Sequence, residues 1–120
     1  AACMMTKTEV FCQAGGFTEE LAVAFNDIDY CMKVRALGKL VVYAPYAVMH
    51  HYESKSRGLE DTPEKVARFN REVAIFARRW PDILKNGDPY YNPNLTLRKS
   101  NFALRDLLKE KIGEPYKLEV

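Results

Sequence analysis

The sequence lacks most of the features that mark specialised classes of protein. No apolar run approaches the ~18 residues of a membrane-spanning helix, and the formal net charge of the 120 residues is only +2. A net charge this small gives no basis for a dominant polyanion partner. Nucleic acid is therefore not expected as a ligand. There is also no glycine-rich phosphate loop and no Cys-x-x-Cys pair. The sequence therefore carries no signature of a P-loop nucleotide site or of a paired-cysteine zinc or redox site.

The three cysteines are an odd number for a disulfide framework. Cys12 and Cys31 both fall in helical patterns, so buried free thiols in a reducing compartment are favoured over a disulfide. The apolar residues at 1–5 precede Lys7, which reverses the charge order of a secretory signal peptide. We interpret residues 2–6 as a strand that is already under way, as in a segment of a longer chain.

What is present is the composition of a globular domain, with 48% hydrophobic and 28% charged residues. Thr8 is predicted to cap a short helix at residues 9–14. Gly15 and Gly16 are predicted to end that helix, because glycine readily adopts the left-handed conformation found after many helices. The glycine pair either only ends the helix or also shapes the loop at residues 17–25 over a pocket.

A second helix is predicted to begin at Asn26, a favourable capping residue. Asp27 and Asp29 fall in its first turn, where the helix dipole favours negative charge, and Gly38 follows its last turn. The apolar run at residues 40–43 then predicts a strand covered on both faces. A helix followed closely by a strand is typical of an α/β domain. The buried face of the helix is predicted to carry Ile28, Cys31, Met32, Val34 and Leu37.

A polar loop leads into a long third helix. Thr62 and Pro63 are typical of a helix start, and Asp61 with Glu64 has capping-box spacing. Pro81 is predicted to end or bend this helix, because proline cannot donate the backbone hydrogen bond that a helix interior requires. Apolar residues recur at intervals of three and four along one face of the helix. They are Val66, Phe69, Val73, Phe76, Ala77 and Trp80.

The last part of the chain combines turn residues with an amphipathic tail. Residues 86–89 have turn chemistry, and residues 89–95 are too rich in tyrosine, asparagine and proline for a helix. A tail helix is predicted at residues 101–112, because leucines and an isoleucine recur there on one stripe. Such a helix leaves peripheral association with a membrane as an alternative role for the tail. The stripe is formed by Leu104, Leu107, Leu108 and Ile112.

Four segments together resemble the second half of an inverting glycosyltransferase of family 2, which has the GT-A fold. They read GGFTE at residues 15–19, NDID at 26–29, HYESKSRG at 51–58 and GDPYYNPNL at 87–95. The resemblance implies an α/β fold class, namely the C-terminal half of a partial GT-A (nucleotide-diphospho-sugar transferase-like) domain. That half would have few strands with flanking helices. The first half, which supplies most of the donor site, is absent from the sequence.

The resemblance covers residues 2–97, so the predicted organisation is a partial GT-A domain at residues 1–97 and a C-terminal helical tail at residues 98–120. As part of the full-length protein, the chain would help to transfer a sugar from a nucleotide-sugar donor to a saccharide or lipid-linked acceptor. The expected setting is bacterial cell-surface polysaccharide synthesis in the cytoplasm, at the inner face of the cytoplasmic membrane. The chain alone is expected to be inactive and to self-associate as a homo-oligomer.

The acidic residues at the start of the second helix allow more than one interpretation. Asp27 and Asp29 have the spacing of the metal-binding aspartate pair of GT-A enzymes, but that pair follows a strand, whereas these residues open a helix. Their placement resembles the later acidic motif, in which Asp27 would be the catalytic base that deprotonates the acceptor hydroxyl. Asp29 and Asn26 would then orient the acceptor. From the residues alone, two carboxylates that only stabilise a helix start remain an alternative.

The resemblance also implies roles after the predicted strand. His51 would bind a divalent metal, Mn²⁺ or Mg²⁺, which is expected only together with the missing N-terminal half. Lys55 and Arg57 would pair with the donor diphosphate, since arginine forms charge-assisted forks with phosphate. The alternative for these two residues is an exposed basic loop. The alternative for the whole chain is a non-catalytic protein-interaction module derived from such a domain.

His51, rather than His50, is predicted to be the metal ligand. In the family, the histidine stands five residues before the serine of a small-residue turn, and counting back five from Ser56 gives His51. On extended backbone the two adjacent imidazoles point to opposite sides, so both should not bind one ion. In the intact enzyme, His51→Ala should therefore raise the Mn²⁺ concentration needed for activity far more than His50→Ala does. Metal titrations of both variants measure this, and equal effects would contradict the register.

Overall fold

The computed structural model describes residues 3–52, 62–99 and 101–110. Its helices are α1 (Thr8–Gln13), α2 (Asn26–Ala36), α3 (Pro63–Arg79) and α4 (Pro81–Asn86). The chain divides into two compact units, residues 1–76 and residues 77–120. The first unit holds α1, α2 and most of α3, and the second holds α4 and the turns that follow it.

The two glycines after α1 end that helix as the sequence predicts. The Gly15 N–H donates to the Cys12 carbonyl and the Gly16 N–H donates to the Phe11 carbonyl, each at 3.0 Å. These two bonds form a Schellman motif, which satisfies carbonyls that the helix itself leaves open. A Cβ on Gly16 would lie 3.2 Å from the Phe11 ring, so the missing side chain also lets that ring pack against the turn. The helix begins one residue earlier than predicted, with Lys7 rather than Thr8 at the capping position.

The helix α2 ends in the same way, which confirms Gly38 as its stop. The Gly38 N–H donates to the Arg35 carbonyl at 2.9 Å, and the Lys39 N–H donates to the Val34 carbonyl at 3.2 Å. Gly38 has φ of +70°, a conformation that residues with a Cβ rarely adopt. Both helix ends are therefore determined by local sequence.

The core of the first unit is small and aromatic. The rings of Phe11, Phe17 and Tyr30 pack in a triangle with centroids 5.3–5.5 Å apart. Tyr30 is 2% exposed and Leu21 is 1% exposed, so α1, the following loop and α2 share this cluster. Contacts of this kind, each worth about 0.5–1.5 kcal/mol beyond the area buried, hold α1 against α2. The Tyr30 hydroxyl also lies 2.8 Å from Thr6 Oγ1, which ties down the segment before α1.

The strands predicted at residues 2–6 and 40–43 are wrong for the residues that the structure describes. Residues 3–6 and 40–43 have neither helix nor strand. A strand exists only when another backbone pairs with it, and hydrophobic pattern alone does not supply that partner. The GT-A fold class itself stays a prediction. The large apolar side chains from here to residue 52 are exposed: Leu40, Val41, Val42, Tyr43, Tyr46, Val48, Met49 and Tyr52.

The start of α3 confirms part of the predicted cap. The Lys65 N–H donates to Thr62 Oγ1 at 3.4 Å, and the Val66 N–H donates to the Thr62 carbonyl at 3.0 Å. Thr62 is thus the capping residue and Pro63 the first helical one. Hydrogen bonds from its own backbone N–H and then from the Thr62 hydroxyl lower the pKa of Glu64. Asp61, the other predicted member of the capping box, lies outside the described residues.

Pro81 follows the end of α3, as the sequence predicts, and it also begins the next helix. The helix α3 ends at Arg79, and Pro81 is the first residue of α4, where its missing N–H costs nothing. Trp80 stands between the two helices with φ of −127°. Residues 88–95 then form consecutive turns closed by Asp88 and Asn92, whose side chains accept from the Tyr90 and Asn94 backbone N–H groups. The prediction of an irregular segment is confirmed.

The predicted tail helix is wrong over residues 101–110. Phe102 has φ of +54°, which a right-handed helix cannot accommodate. The backbone instead pairs with the preceding turn, since the Thr96 N–H donates to the Ala103 carbonyl at 2.9 Å. The Thr96 hydroxyl also donates to the Glu110 carboxylate at 2.8 Å. The leucines of the predicted stripe are exposed in the described part of the chain: Leu104, Leu107 and Leu108.

The cysteines are free thiols, as the sequence predicts, but they are less buried than expected. Cys3 and Cys12 are exposed and Cys31 is half-buried. Burial raises the pKa of the Cys31 thiol, so Cys31 is less readily ionised than an ordinary cysteine. Within the described ranges, no helix is both long and apolar enough to cross a membrane.

The isolated 120-residue chain is predicted to form dimers or larger assemblies, because its large apolar side chains at residues 40–52 are mostly exposed to water. Light scattering at ~100 µM, a concentration far above the Kd of specific dimers, measures this. Val42→Lys, at a residue 77% exposed, should shift the chain towards monomer. Ala67→Lys, on the exposed face of α3, is the matched control, and a monomeric unsubstituted chain would contradict the prediction.

Candidate functional site: the acidic start of α2

In the first turn of α2, side-chain oxygens of the same turn accept hydrogen bonds from backbone N–H groups. Asn26 Oδ1 accepts from the Asp27 N–H at 2.7 Å, and Asp27 Oδ1 accepts from the Ile28 N–H at 2.9 Å. The Asp29 N–H donates to the Phe25 carbonyl at 2.8 Å, so Phe25 and not Asn26 is the capping residue. Asn26 and Asp27 are half-buried. Negative charge at this end of a helix is also stabilised by the helix dipole.

Asp29, two residues further on, has a different environment. Its side chain is fully buried, and its Oδ2 accepts from the Thr18 hydroxyl at 2.7 Å. The same oxygen lies 3.4 Å from Lys33 Nζ, one turn later on α2. Lys33 Nζ in turn donates to the Gly16 carbonyl at 2.9 Å. The buried carboxylate therefore joins the loop after α1 to the body of α2.

This network separates the two aspartates that the sequence presents as a pair. A buried carboxylate is tolerated only when it is paired and hydrogen-bonded, and Asp29 meets both conditions. Its side chain is fully buried, and the acceptor-orienting role that the resemblance implies for Asp29 stays a prediction. Thr18 and Lys33 were not predicted as site residues. The spacing of Asp29 and Lys33, an i and i+4 ion pair, was the available signal.

The residue that caps α2 is conformationally strained. Phe25 has φ of +64° and ψ of +1°, the left-handed region that costs a residue with a Cβ about 1–3 kcal/mol. Such a conformation persists only when the surroundings impose it. The Phe25 ring stacks on Phe76 at 5.1 Å between centroids and lies 5.7 Å from Phe69. Both partners belong to α3.

A second buried carboxylate lies beside these rings. Glu72 is 1% exposed, and its Oε2 accepts from the Ala24 N–H at 2.6 Å. Its Oε1 lies 3.9 Å from Arg68 Nε, one turn earlier on α3. Glu72 was not predicted from the sequence. The signal that could have found it is its position between Phe69 and Phe76 on the apolar face of α3.

The remaining predicted site residues are less well defined. His50 and His51 are exposed and lie in neither helix nor strand. Within the described ranges, no group of three or more histidine, cysteine, aspartate or glutamate side chains could hold a metal ion, so those residues alone do not form a metal site. Lys55 and Arg57 lie outside the described residues.

Asp29→Asn is predicted to lower the free energy of unfolding by about 2 kcal/mol or more, because Lys33 would lose its buried countercharge. Thr18→Val should cost about 1.5 kcal/mol through the loss of one charge-assisted hydrogen bond. Asp27→Asn is the matched control: it keeps an oxygen that can accept from the Ile28 N–H, and it should lower the free energy of unfolding by less than Asp29→Asn does. Urea denaturation of the 120-residue chain at low concentration, followed by circular dichroism, measures all three. Equal losses for the two aspartates would refute the distinction drawn between them.

The chain is similar to a short part of two much longer proteins. It is 54% identical over 105 residues to the uncharacterized protein y4gI of Sinorhizobium fredii (strain NBRC 101917 / NGR234), a match to 87% of this chain and 11% of that protein. It is 36% identical over 105 residues to the O-antigen biosynthesis protein RfbC of Myxococcus xanthus, a match to 88% of this chain and 8% of that protein. No family model and no solved structure matches the chain. The chain thus spans about a tenth of the length of these two curated relatives.

Proposed function

We propose that this chain is the acceptor-side part of a glycosyltransferase that acts in cell-surface polysaccharide synthesis. The observation that carries the proposal is the different placement of the two aspartates at the start of α2. Asp29 is buried, and its carboxylate is bound by the Thr18 hydroxyl and the Lys33 ammonium. Asp27 is partly exposed on the same helix turn, where a substrate can reach it.

The chemistry proposed for Asp27 is general base catalysis. A sugar acceptor attacks through a hydroxyl that must lose its proton as the new bond forms, and a carboxylate within hydrogen-bond reach can take that proton. The position at a helix N-terminus favours the ionised carboxylate that this role needs. The hydrogen bond from the Ile28 N–H to Asp27 Oδ1 fixes the orientation of the group. Attack opposite the leaving diphosphate would give inversion at the sugar.

The similarity to an O-antigen biosynthesis protein supports the same proposal. That relative is 36% identical over 88% of this chain. O-antigen is a surface polysaccharide, so its name agrees with sugar transfer to a saccharide or lipid-linked acceptor. The proposed place of action is the cytoplasmic side of the inner membrane. The inverting mechanism and the GT-A fold are parts of the proposal that derive from sequence resemblance.

A divalent metal and the donor diphosphate are assigned mainly to other parts of the protein. Of the two described histidines, the proposal assigns His51 to the metal, and one ligand does not make a site. In the proposal, further ligands come from chain outside the described residues, and Lys55 and Arg57 remain candidates for contact with the diphosphate. Neither assignment is needed for the role of Asp27.

A second candidate function is a non-catalytic interaction module. The exposed apolar side chains at residues 40–52 favour it, because patches of this kind often mark surfaces that bind other protein. The two candidates differ in what they require of Asp27, since a module that only binds would not need its carboxylate. Substitution of Asp27 therefore separates them.

In the intact protein, Asp27→Asn is predicted to lower turnover by ~10²-fold or more while the fold stays intact, as expected for loss of a general base. Asparagine keeps the size of the side chain and can still accept from the Ile28 N–H. Release of nucleoside diphosphate from uridine and deoxythymidine diphosphate sugars measures turnover, with membranes from a strain lacking the protein as the source of acceptor. The loss should fall on kcat rather than on the KM for the donor.

Asp82→Asn is the matched control, since Asp82 is an exposed aspartate in the first turn of another helix, α4. It should turn over at the rate of the unsubstituted protein. If Asp27→Asn does so as well, Asp27 is not the base. Normal surface polysaccharide in cells that carry only the Asp27→Asn protein would favour the interaction module.

A further inference from the structure

The helix start that carries Asp27 depends on a backbone conformation that it cannot maintain alone. Phe25, the capping residue of α2, is held at φ of +64°, although its Cβ disfavours that region. The first backbone hydrogen bond of the helix, from the Asp29 N–H to the Phe25 carbonyl, originates at this residue. Any relaxation of Phe25 would therefore rotate the turn that contains Asp27.

The contacts that hold this conformation come from α3, whose Glu72 lies 48 residues from Ala24 in sequence. Glu72 Oε2 accepts from the N–H of Ala24, the residue just before Phe25, at 2.6 Å. The Phe25 ring is stacked on Phe76 and tilted against Phe69. Together these contacts hold the backbone before Phe25 on one side and its ring on the other.

We infer that Glu72 is a positioning residue for Asp27: its buried carboxylate fixes the Ala24 N–H and so keeps the acidic start of α2 in the orientation that the reaction uses. The inference rests on the proposed function, because only a catalytic Asp27 makes this orientation matter for turnover. It adds a residue on α3 that the motif at residues 26–29 does not contain.

The type of residue at position 72 supports this role over simple core packing. An apolar side chain between Phe69 and Phe76 would fill the face of α3 without the cost of burying a carboxylate. Glu72 is 1% exposed, yet it directs one oxygen to a backbone N–H and the other towards Arg68, at 3.9 Å. A buried carboxylate so directed secures one point of the backbone, which general apolar packing does not do.

The experiment combines two readouts on the intact protein. Hydrogen–deuterium exchange followed by mass spectrometry reports on the start of α2 without any substrate. Glu72→Leu should raise exchange in peptides covering residues 24–34 by ~10-fold or more, and leave peptides covering α4 unchanged. Glu72→Gln, which retains an oxygen acceptor for the Ala24 N–H, should stay near the unsubstituted protein. Glu20→Gln, the same charge change at an exposed position in the preceding loop, is the control.

The second readout is a double-mutant cycle on donor turnover. Glu72→Leu alone should lower kcat by ~10- to 100-fold, as misplacement of a catalytic group does. In the Asp27→Asn background, it should lower kcat by less than ~3-fold, because a residue that acts through Asp27 has nothing left to position. A purely structural role would give the same loss in both backgrounds, and that result would overturn the inference. Unchanged exchange in Glu72→Leu, or equal damage from Glu72→Gln, would overturn it as well.

The two proposals fail in distinguishable ways. If the intact protein turns over no donor, the proposed function is wrong, whereas exchange at residues 24–34 still decides whether Glu72 holds the helix start. Circular dichroism of each variant shows whether the protein remains folded. If Glu72→Leu does not fold, Glu72→Gln still tests the inference. Glu72→Gln and Glu20→Gln are then expected to have the same exchange and the same kcat, and a difference between them would contradict the inference.

Discussion

The burial of the Asp29 carboxylate is the constraint on which the first unit depends. A charge removed from water must find compensating groups within the protein, and here they come from different parts of the chain. The Thr18 hydroxyl approaches from the loop, and Lys33 lies one turn along α2 while its ammonium also binds the Gly16 carbonyl. The loop after α1 must therefore pass directly over α2. Gly16 can make that passage because it has no Cβ to collide with the Phe11 ring.

The helix α3 provides the second attachment of the same helix start. Glu72 binds the backbone at Ala24, and Phe69 and Phe76 enclose the Phe25 ring. The first turn of α2 is thus fixed on one side by a buried network and on the other by a buried carboxylate and two rings. Asp27 stands between these attachments and remains partly exposed. The role proposed for Asp27 as a general base requires an accessible carboxylate in a defined orientation, because the group must meet its substrate in one geometry.

The segment after α2 leaves its apolar side chains exposed to water. Residues 40–52 carry aliphatic and tyrosine side chains that would suit a covered strand, yet most of them are strongly exposed. Burial of such side chains contributes about 25 cal/mol for each Å² of apolar surface removed from water, so the segment retains a large unused driving force for association. The matched relatives are about ten times longer than this chain. His50 and His51 belong to this exposed segment.

Features that depend on neighbours a few residues away could be predicted from the sequence. The glycines end α1 and α2, Thr62 and Pro63 start α3, and Pro81 separates α3 from α4, because each effect acts through one turn of backbone. The strand at residues 40–43 and the tail helix were predicted wrongly, since a strand requires a partner and Phe102 takes a conformation that no helix allows. The sequence resemblance assigned Asp27 and Asp29 different roles, but it did not predict that one would be buried and the other partly exposed. That difference depends on tertiary contacts, because Thr18 is 11 residues from Asp29 in sequence and Glu72 is 48 residues from Ala24. Contacts over such separations form only when the chain has folded, and they decide which carboxylate is buried and which one stays partly exposed.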